Sequence, residues 1–291
     1  MSNEAFVGHR SLLFTIAYEM LGSAADAEDV VQEAWLRWSN VDQAEVRDCR
    51  AYLVRVVTRQ ALNRLRTLSR QREDYVGEWL PEPLLTGPEV ADDVELAESV
   101  SIAMLTVLET LTPTERAVFV LREVFDVSFD EIAATVEKTP AAVRQIAHRA
   151  RKHVAARRPR RQVSVVEQQR VVERFLEAIR GGDLHELLEV LAPDVVVVAD
   201  GGGLVPAIRK PLMGNQHAAR ALATFNRHAA GVTLSLVLLN GAPAVRVDPG
   251  GELDTAITFV VEGDRITHIH VIRNPHKLGR LSESMQLSRG R

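Results

Sequence analysis

The chain is 291 residues long, 46% hydrophobic and 25% charged, enough apolar material to bury cores in two or three domains. No stretch approaches the roughly 20 apolar residues of a membrane span, and the opening MSNEAFVGHR lacks the basic flank and apolar core of a secretory leader. The single cysteine, Cys49, excludes a disulfide framework and a multi-cysteine metal centre, so a reducing cytoplasm and no metal or other cofactor are expected.

Up to about residue 73 the pattern is helical. Ser23 caps a helix striped by Ala27, Val30, Val31, Ala34 and Trp38, and a second runs from Ala51 to about Arg72. Tyr75 to Pro88 holds Gly77, Pro81, Pro83, Gly87 and Pro88, which predicts a linker or an ordered extended segment. Helical pattern resumes at Asp93 and continues to about Ala156, with breaks at Thr112–Pro113, near Asp126–Ser128 and at Lys138–Pro140. The basic run RRPRR at 157–161 ends it. Val163–Arg180, Asp183–Leu191 and about Asn215–His228 then read as helices. Val195–Ala199, Thr233–Leu239, Thr255–Val261 and Arg265–Ile272 read as strands, giving an α+β unit with a curved antiparallel sheet.

Charge is segregated along this order. The formal net charge is −4, yet acid clusters at 26–33 and 89–98 while Arg dominates 47–72. No acidic residue falls between Glu137 and Glu167, an interval holding Lys138, Arg144, Arg149, Arg151, Lys152, Arg157, Arg158, Arg160 and Arg161. A mildly acidic chain with two basic segments fits a DNA reader that also has a protein partner.

The sharpest local pattern spans residues 128–151. Ser128 and Glu131 have capping-box spacing, and Thr139 followed by Pro140 starts a second helix. That helix buries Val143, Ile146, Ala147 and Ala150 and shows Ala141, Arg144, Gln145, His148, Arg149 and Lys152 on its other face. Two short helices with an Arg/Gln face on the second form the arrangement that enters a major groove. A further capping box, Thr112 to Glu115, starts the supporting helix.

Leu111-Thr-Pro-Thr-Glu-Arg-Ala-Val-Phe-Val-Leu-Arg-Glu-Val-Phe125, with the helix pair after it, resembles region 4 of the extracytoplasmic-function (ECF) sigma factors of the sigma-70 family. Asp26-Ala-Glu-Asp-Val-Val-Gln-Glu-Ala-Trp-Leu-Arg37 resembles their region 2, and the likeness covers roughly residues 5–157. The resemblance implies a subunit that brings RNA polymerase core, through its β′ clamp helices and β flap, to promoter DNA. Asp29, Gln32, Glu33 and Leu36 match the positions that dock on the clamp helices. Tyr52, Arg55, Arg59, Asn63, Arg64 and Arg66 fall in the segment similar to the −10 recognition helix, although Thr58-Arg59 replaces the common Arg-Asn and Asn63 a frequent Asp. Thr139, Arg144, Gln145, His148 and Arg149 fall in the −35 reader.

Trp79-Leu-Pro81-Glu-Pro83, Asp200-Gly201-Gly202-Gly203 and Asn274-Pro275-His-Lys277-Leu278 resemble motifs of the SigJ-like subgroup, which carries a fused SnoaL-like tail. His276 departs from the usual Asp there. The implied fold is multidomain: two all-α sigma domains, 1–73 and 101–157, a linker at 74–100, and an α+β NTF2-like (SnoaL-like) cone at 163–285 that regulates the rest in cis. Asp200, His217, Asp254, His268 and His270 are candidate polar liners of a pocket for a small-molecule ligand. Two other functions stay open: a helix-turn-helix regulator that never joins polymerase, and an isomerase-type enzyme in the tail.

Overall fold

The computed structural model describes residues 2–42, 45–71, 75–158, 163–227 and 231–290. Arg160 and Arg161 of the basic run, and His228, lie outside them. Among the described residues no helix is long and apolar enough to cross a membrane.

Three helices come first: α1 (Ser2–Leu21), α2 (Ala24–Ser39) and α3 (Cys49–Gln71). Gly22, in the left-handed region at φ +66°, closes α1, and the Ser23 hydroxyl accepts from the Asp26 N–H to start α2. Residues 75–87 run without helix or strand, apart from an isolated bridge between Leu85 and Leu239, to α4 (Pro88–Asp92), α5 (Val94–Val100) and α6 (Ile102–Leu108). Then come α7 (Pro113–Phe119), continued by a π-helical turn over Val120–Val124, α8 (Phe129–Val136) and α9 (Pro140–Ala155). Both capping boxes expected from the sequence are formed, at Thr112/Glu115 and Ser128/Glu131. Glu137, in the left-handed region at φ 57°, closes α8, and Thr139 caps α9.

These helices share one apolar core that runs from Phe6 and Tyr18 through Leu53, Leu84, Val118 and Ile146 to Leu287. The all-α half is therefore packed as a unit, with α3 lying against α7 and α8.

The tail has its own core. Helices α10 (Val165–Gly181) and α11 (Leu184–Val190) lead into β1 (Leu191–Asp200). Then follow β2 (Leu212–Met213), α12 (Asn215–Arg227), β3 (Val232–Leu239), β4 (Ala242–Pro249), β5 (Thr255–Glu262), β6 (Arg265–Ile272) and the turn α13 (Pro275–Leu278). The six-stranded sheet has the order β2-β1-β6-β5-β4-β3. It is mixed rather than antiparallel throughout, because β1 runs parallel to β6. Its inner face packs Val197, Val245, Phe259 and Ile269 on Val172, Phe175 and Leu176 of α10, with Phe175 edge-on to Phe259 at 5.1 Å. The outer face carries a second, smaller cluster in which Leu239, Ala244, Ala256 and Ile272 of the sheet meet Leu80 of the linker and Leu278 and Leu281 beyond it.

Candidate nucleic-acid interface and the linker junction

The face of α2 that bears Asp29, Gln32, Glu33 and Leu36 is exposed. Trp35, 39% exposed, and Leu36, 50% exposed, form its apolar part, and Val7 of α1 stands out nearby at the rim of the same groove. An apolar strip edged by acids suits a basic partner helix. Asp29 is not isolated from the DNA candidates, because Arg64 of α3 pairs with Asp26 at 2.6 Å and reaches Asp29 at 3.7 Å. Along α3, Arg55, Arg59, Asn63 and Arg66 are exposed. Tyr52 packs on Trp38 with 5.7 Å between ring centres and carries the Arg55 guanidinium over its face. Arg59 is engaged: it donates to the Thr135 and Ala134 carbonyls at the end of α8 and pairs with Glu137.

On α9, Arg144, Gln145, His148 and Arg149 all point to solvent. Arg144 also lies over the Phe129 ring at 5.7 Å, which holds its stem across the two helices. Arg151 belongs instead to a forked ion pair with Glu123. The Thr139 hydroxyl is occupied as a cap, accepting from the Ala142 N–H at 3.2 Å.

The three tail-subgroup motifs converge on one buried carboxylate. Asp200 ends β1 fully buried on the outer face of the sheet. One of its oxygens accepts from the Tyr75 hydroxyl (2.6 Å) and the Gly202 N–H (2.9 Å); the other accepts from the Leu80 N–H (2.9 Å) and the Lys277 ammonium (2.6 Å). Lys277 also donates to the Leu80 carbonyl and sits 4.2 Å from the centre of the Trp79 ring. Asn274 donates to the Tyr75 hydroxyl and accepts from His276 N–H, capping α13. Gly202 must be glycine on two counts: its φ is +62°, and a Cβ there would lie 2.4 Å from the Asn274 amide nitrogen.

The linker carries this junction on to α1 and α2. Trp79 fills the space above Gly22, where a Cβ would meet its ring at 2.7 Å. Pro81 and Pro83 are buried, and Glu82 between them accepts from the N–H groups of Ala24 and Ala25 and from the Ser23 hydroxyl. A carboxylate at the start of α2 meets its unpaired donors and its dipole. Burial nevertheless pushes the Glu82 carboxyl above its usual range, the three donors opposing the shift.

Sequence reasoning missed Glu82, Tyr18 and the β3–β4 turn. Asn240-Gly241, both at positive φ, form that turn, and Asn240 is buried inside the helical half. Its amide donates to the Tyr18 hydroxyl (2.7 Å) and the Val100 carbonyl (2.8 Å), and its oxygen accepts from the Leu84 N–H (2.9 Å). The signal was available, since Asn-Gly after an apolar run marks a hairpin. Also missed was the segment after α13, where Ser288 N–H donates to the Thr15 hydroxyl and Arg289 pairs with Asp93 and Glu95.

Beside Tyr18 lie a buried carboxyl, that of Glu19, and a buried guanidinium, that of Arg116. The Glu19 carboxylate accepts from the Ser99 hydroxyl at 2.8 Å, and Arg116 donates to the Glu19 carbonyl and pairs with Glu109. Burial raises Glu19 to about 8, against the opposing pull of Ser99, Arg116 and Arg289.

The five polar residues considered as pocket liners do not converge. Asp200 is committed to the linker, Asp254 pairs with Arg273, and His217 bonds the Met213 carbonyl near the start of α12. His268 and His270 do share a face, their rings 6.3 Å apart, but it is the outer face and not the cone interior. Burial lowers both, His270 to about 3.

The chain matches two family models, Sigma-70 region 2 over residues 6–71 and Sigma-70 region 4 over residues 101–154. It is 38% identical over 253 residues to the ECF RNA polymerase sigma factor SigJ of Mycobacterium tuberculosis, covering 83% of this chain and 79% of the relative. It is 33% identical over 279 residues to the probable ECF RNA polymerase sigma factor SigI of the same organism, covering 94% and 93%. The crystal structure of M. tuberculosis SigJ superposes with a TM-score of 0.77 at 32% identity, over 97% of this chain and 99% of that one.

Proposed function

Because the chain belongs to the ECF RNA polymerase sigma factors, we propose that its two helical units divide the work of promoter-specific initiation and that its tail regulates them in cis. RNA polymerase core and promoter DNA are its partners. In this reading Asp29, Gln32, Glu33 and Leu36 dock on the β′ clamp helices, with Trp35 adding apolar area, while the region 4 unit engages the β flap. Tyr52, Arg55, Arg59, Asn63, Arg64 and Arg66 serve the −10 element, and Arg144, Gln145, His148 and Arg149 the −35 element. The units run over 1–73 and 101–157, with the tail at 163–285, and the protein works in the cytoplasm beside its polymerase.

The observation that carries the reading is the coexistence of two separate exposed faces: the acid-edged apolar strip of α2 and the Arg/Gln face of α9. A repressor has use for the second and none for the first. An enzyme in the tail is disfavoured, because its candidate acids and bases are dispersed and its two strand histidines lie on the outer face of the sheet. Regulation in cis is supported by Asp200, which ties the tail to the linker that caps α2.

The test is transcription in vitro with core polymerase. Asp29→Ala with Glu33→Ala should abolish competition for core by the full chain; unchanged core binding would remove the docking assignment.

A further inference from the structure

The β3–β4 hairpin that plugs the helical half also frames a cavity. At its tip Gly241 sits so close to α5 that a Cβ there would lie 2.8 Å from that of Ala97. Next to this seat, α6 and the tail enclose a cavity of about 270 Å³. Ala103, Met104 and Val107 of α6 line one side, and Val165 of α10 with Val260 of β5 line the other. The cavity therefore lies between the two halves of the chain.

Volume and lining decide what fits. An apolar cavity of roughly 150 Å³ takes benzene, so this one has space for a fused pair of rings. Apolar walls at a domain junction, with a few polar groups to fix orientation, are the common setting of small-molecule sites.

The polar groups at its edge are mostly committed. The Ser101 hydroxyl donates to the Glu98 carbonyl and accepts from the Met104 N–H. Ser164 exchanges two bonds with Glu167, and the Gln168 amide donates to the Val163 carbonyl. Glu98 is the exception. Its buried Oε1 lies against the Arg158 guanidinium and receives no directed hydrogen bond among the described residues. A carboxylate has about four acceptor sites, and a buried acceptor left unmet costs free energy that a ligand's donor recovers. The same carboxylate repels an anion, while the apolar walls penalise a bare ammonium.

We propose that the cavity between α6 and the tail is a binding site for a neutral bicyclic aromatic molecule carrying one N–H or O–H, which donates to Glu98. Both halves touch the occupant, so it binds only while the tail lies against α6. Its binding free energy adds to that apposition.

The test uses the full chain, with indole as the probe and 1-methylindole, which has the same rings and no donor, as its control. In titration calorimetry indole should bind one to one and roughly tenfold more tightly than 1-methylindole. Glu98→Met, similar in size and without the acceptor, should bring the two probes to within about twofold of each other. In methyl NMR spectra the ring current of indole should shift the signal of Met104. The signals of Met20, sealed in the helical core, and of Met213, exposed on β2, should stay in place. Ala103→Phe puts a ring into the cavity and should abolish binding; the methyl shifts, read on the parent protein, decide the matter even if that variant does not fold. No saturable binding up to millimolar indole, or saturable binding that moves Met213 and not Met104, overturns the site. Equal affinities of the parent protein for the two probes overturn the role of Glu98.

Discussion

Asp200→Asn is the most discriminating single change at the linker junction. Its carboxylate is fully buried and accepts four bonds, two on each oxygen, one of them from Lys277, which is 11% exposed. An amide of the same shape keeps two of those acceptors and turns an NH2 toward the other two donors. It also removes the negative charge facing the ammonium of Lys277, which keeps the Leu80 carbonyl and the faces of Trp79 and Tyr75. Breaking a buried ion pair by neutralising one partner costs about 3–5 kcal/mol; the remaining partners of Lys277 reduce that here to ~2–4 kcal/mol. The loss falls on the seating of the linker, so it should be read at the Leu80 and Glu82 amides, which donate to Asp200 and to the Gly22 carbonyl. Native-state hydrogen exchange at those amides should quicken by ~30- to 1,000-fold, while amides inside α10 stay unchanged. Exchange within about threefold of the parent at both would refute the view that Asp200 holds the linker against the tail.

Asn240→Ala removes three buried side-chain bonds and leaves the Leu84 N–H without its acceptor. It should cost ~2–4 kcal/mol in denaturant titrations analysed at constant slope. Glu19→Gln tests the buried carboxyl. Its folded value, about 8, lies above the ordinary 4.5, so the native state holds the proton more tightly and loses stability as pH rises from 4.5 towards 8. The Gln variant should lack that decline, its Tm advantage growing between pH 5 and 8 on the order of the titration window; parallel Tm profiles would remove the assignment. Arg144→Ala should weaken holoenzyme binding to the selected promoter by ~1–3 kcal/mol, with little effect on a promoter scrambled at −35; equal losses on both would mark a phosphate contact instead.

Much of this was legible in the residues. The capping boxes at Thr112 and Ser128, and the Thr139-Pro140 start, are local chemistry, and the structure forms each of them. Strand β4 was not legible, because Ala242-Pro-Ala-Val-Arg-Val-Asp-Pro249 has proline near both ends and little β-branched content; pairing with β3 and β5 on either side makes it a strand. The parallel pairing of β1 with β6 was hidden for another reason, since alternation reports which face a side chain takes and not the direction of its neighbour. Arg59 shows the same gap at the site. Its type announces a phosphate contact, and nothing nearby in sequence reveals that carbonyls 75 and 76 residues away claim it first. Likewise Asn240-Gly241 declares a turn, but only the folded chain shows where that turn is plugged.

The contact between Tyr18 and Asn240 joins residues 222 positions apart. A ribosome adding about 5–20 residues per second makes the second partner ~10–45 s after the first. Until Asn240 is made, the phenol of Tyr18 can donate to the Glu82 carbonyl but lacks its own donor, and the Leu84 N–H lacks its acceptor. The nascent polypeptide thus passes through a stage in which its helical half exists and the tail that packs on its linker does not. Birth order alone gives every new molecule a brief interval in which its helices can pack before the hairpin that plugs them arrives.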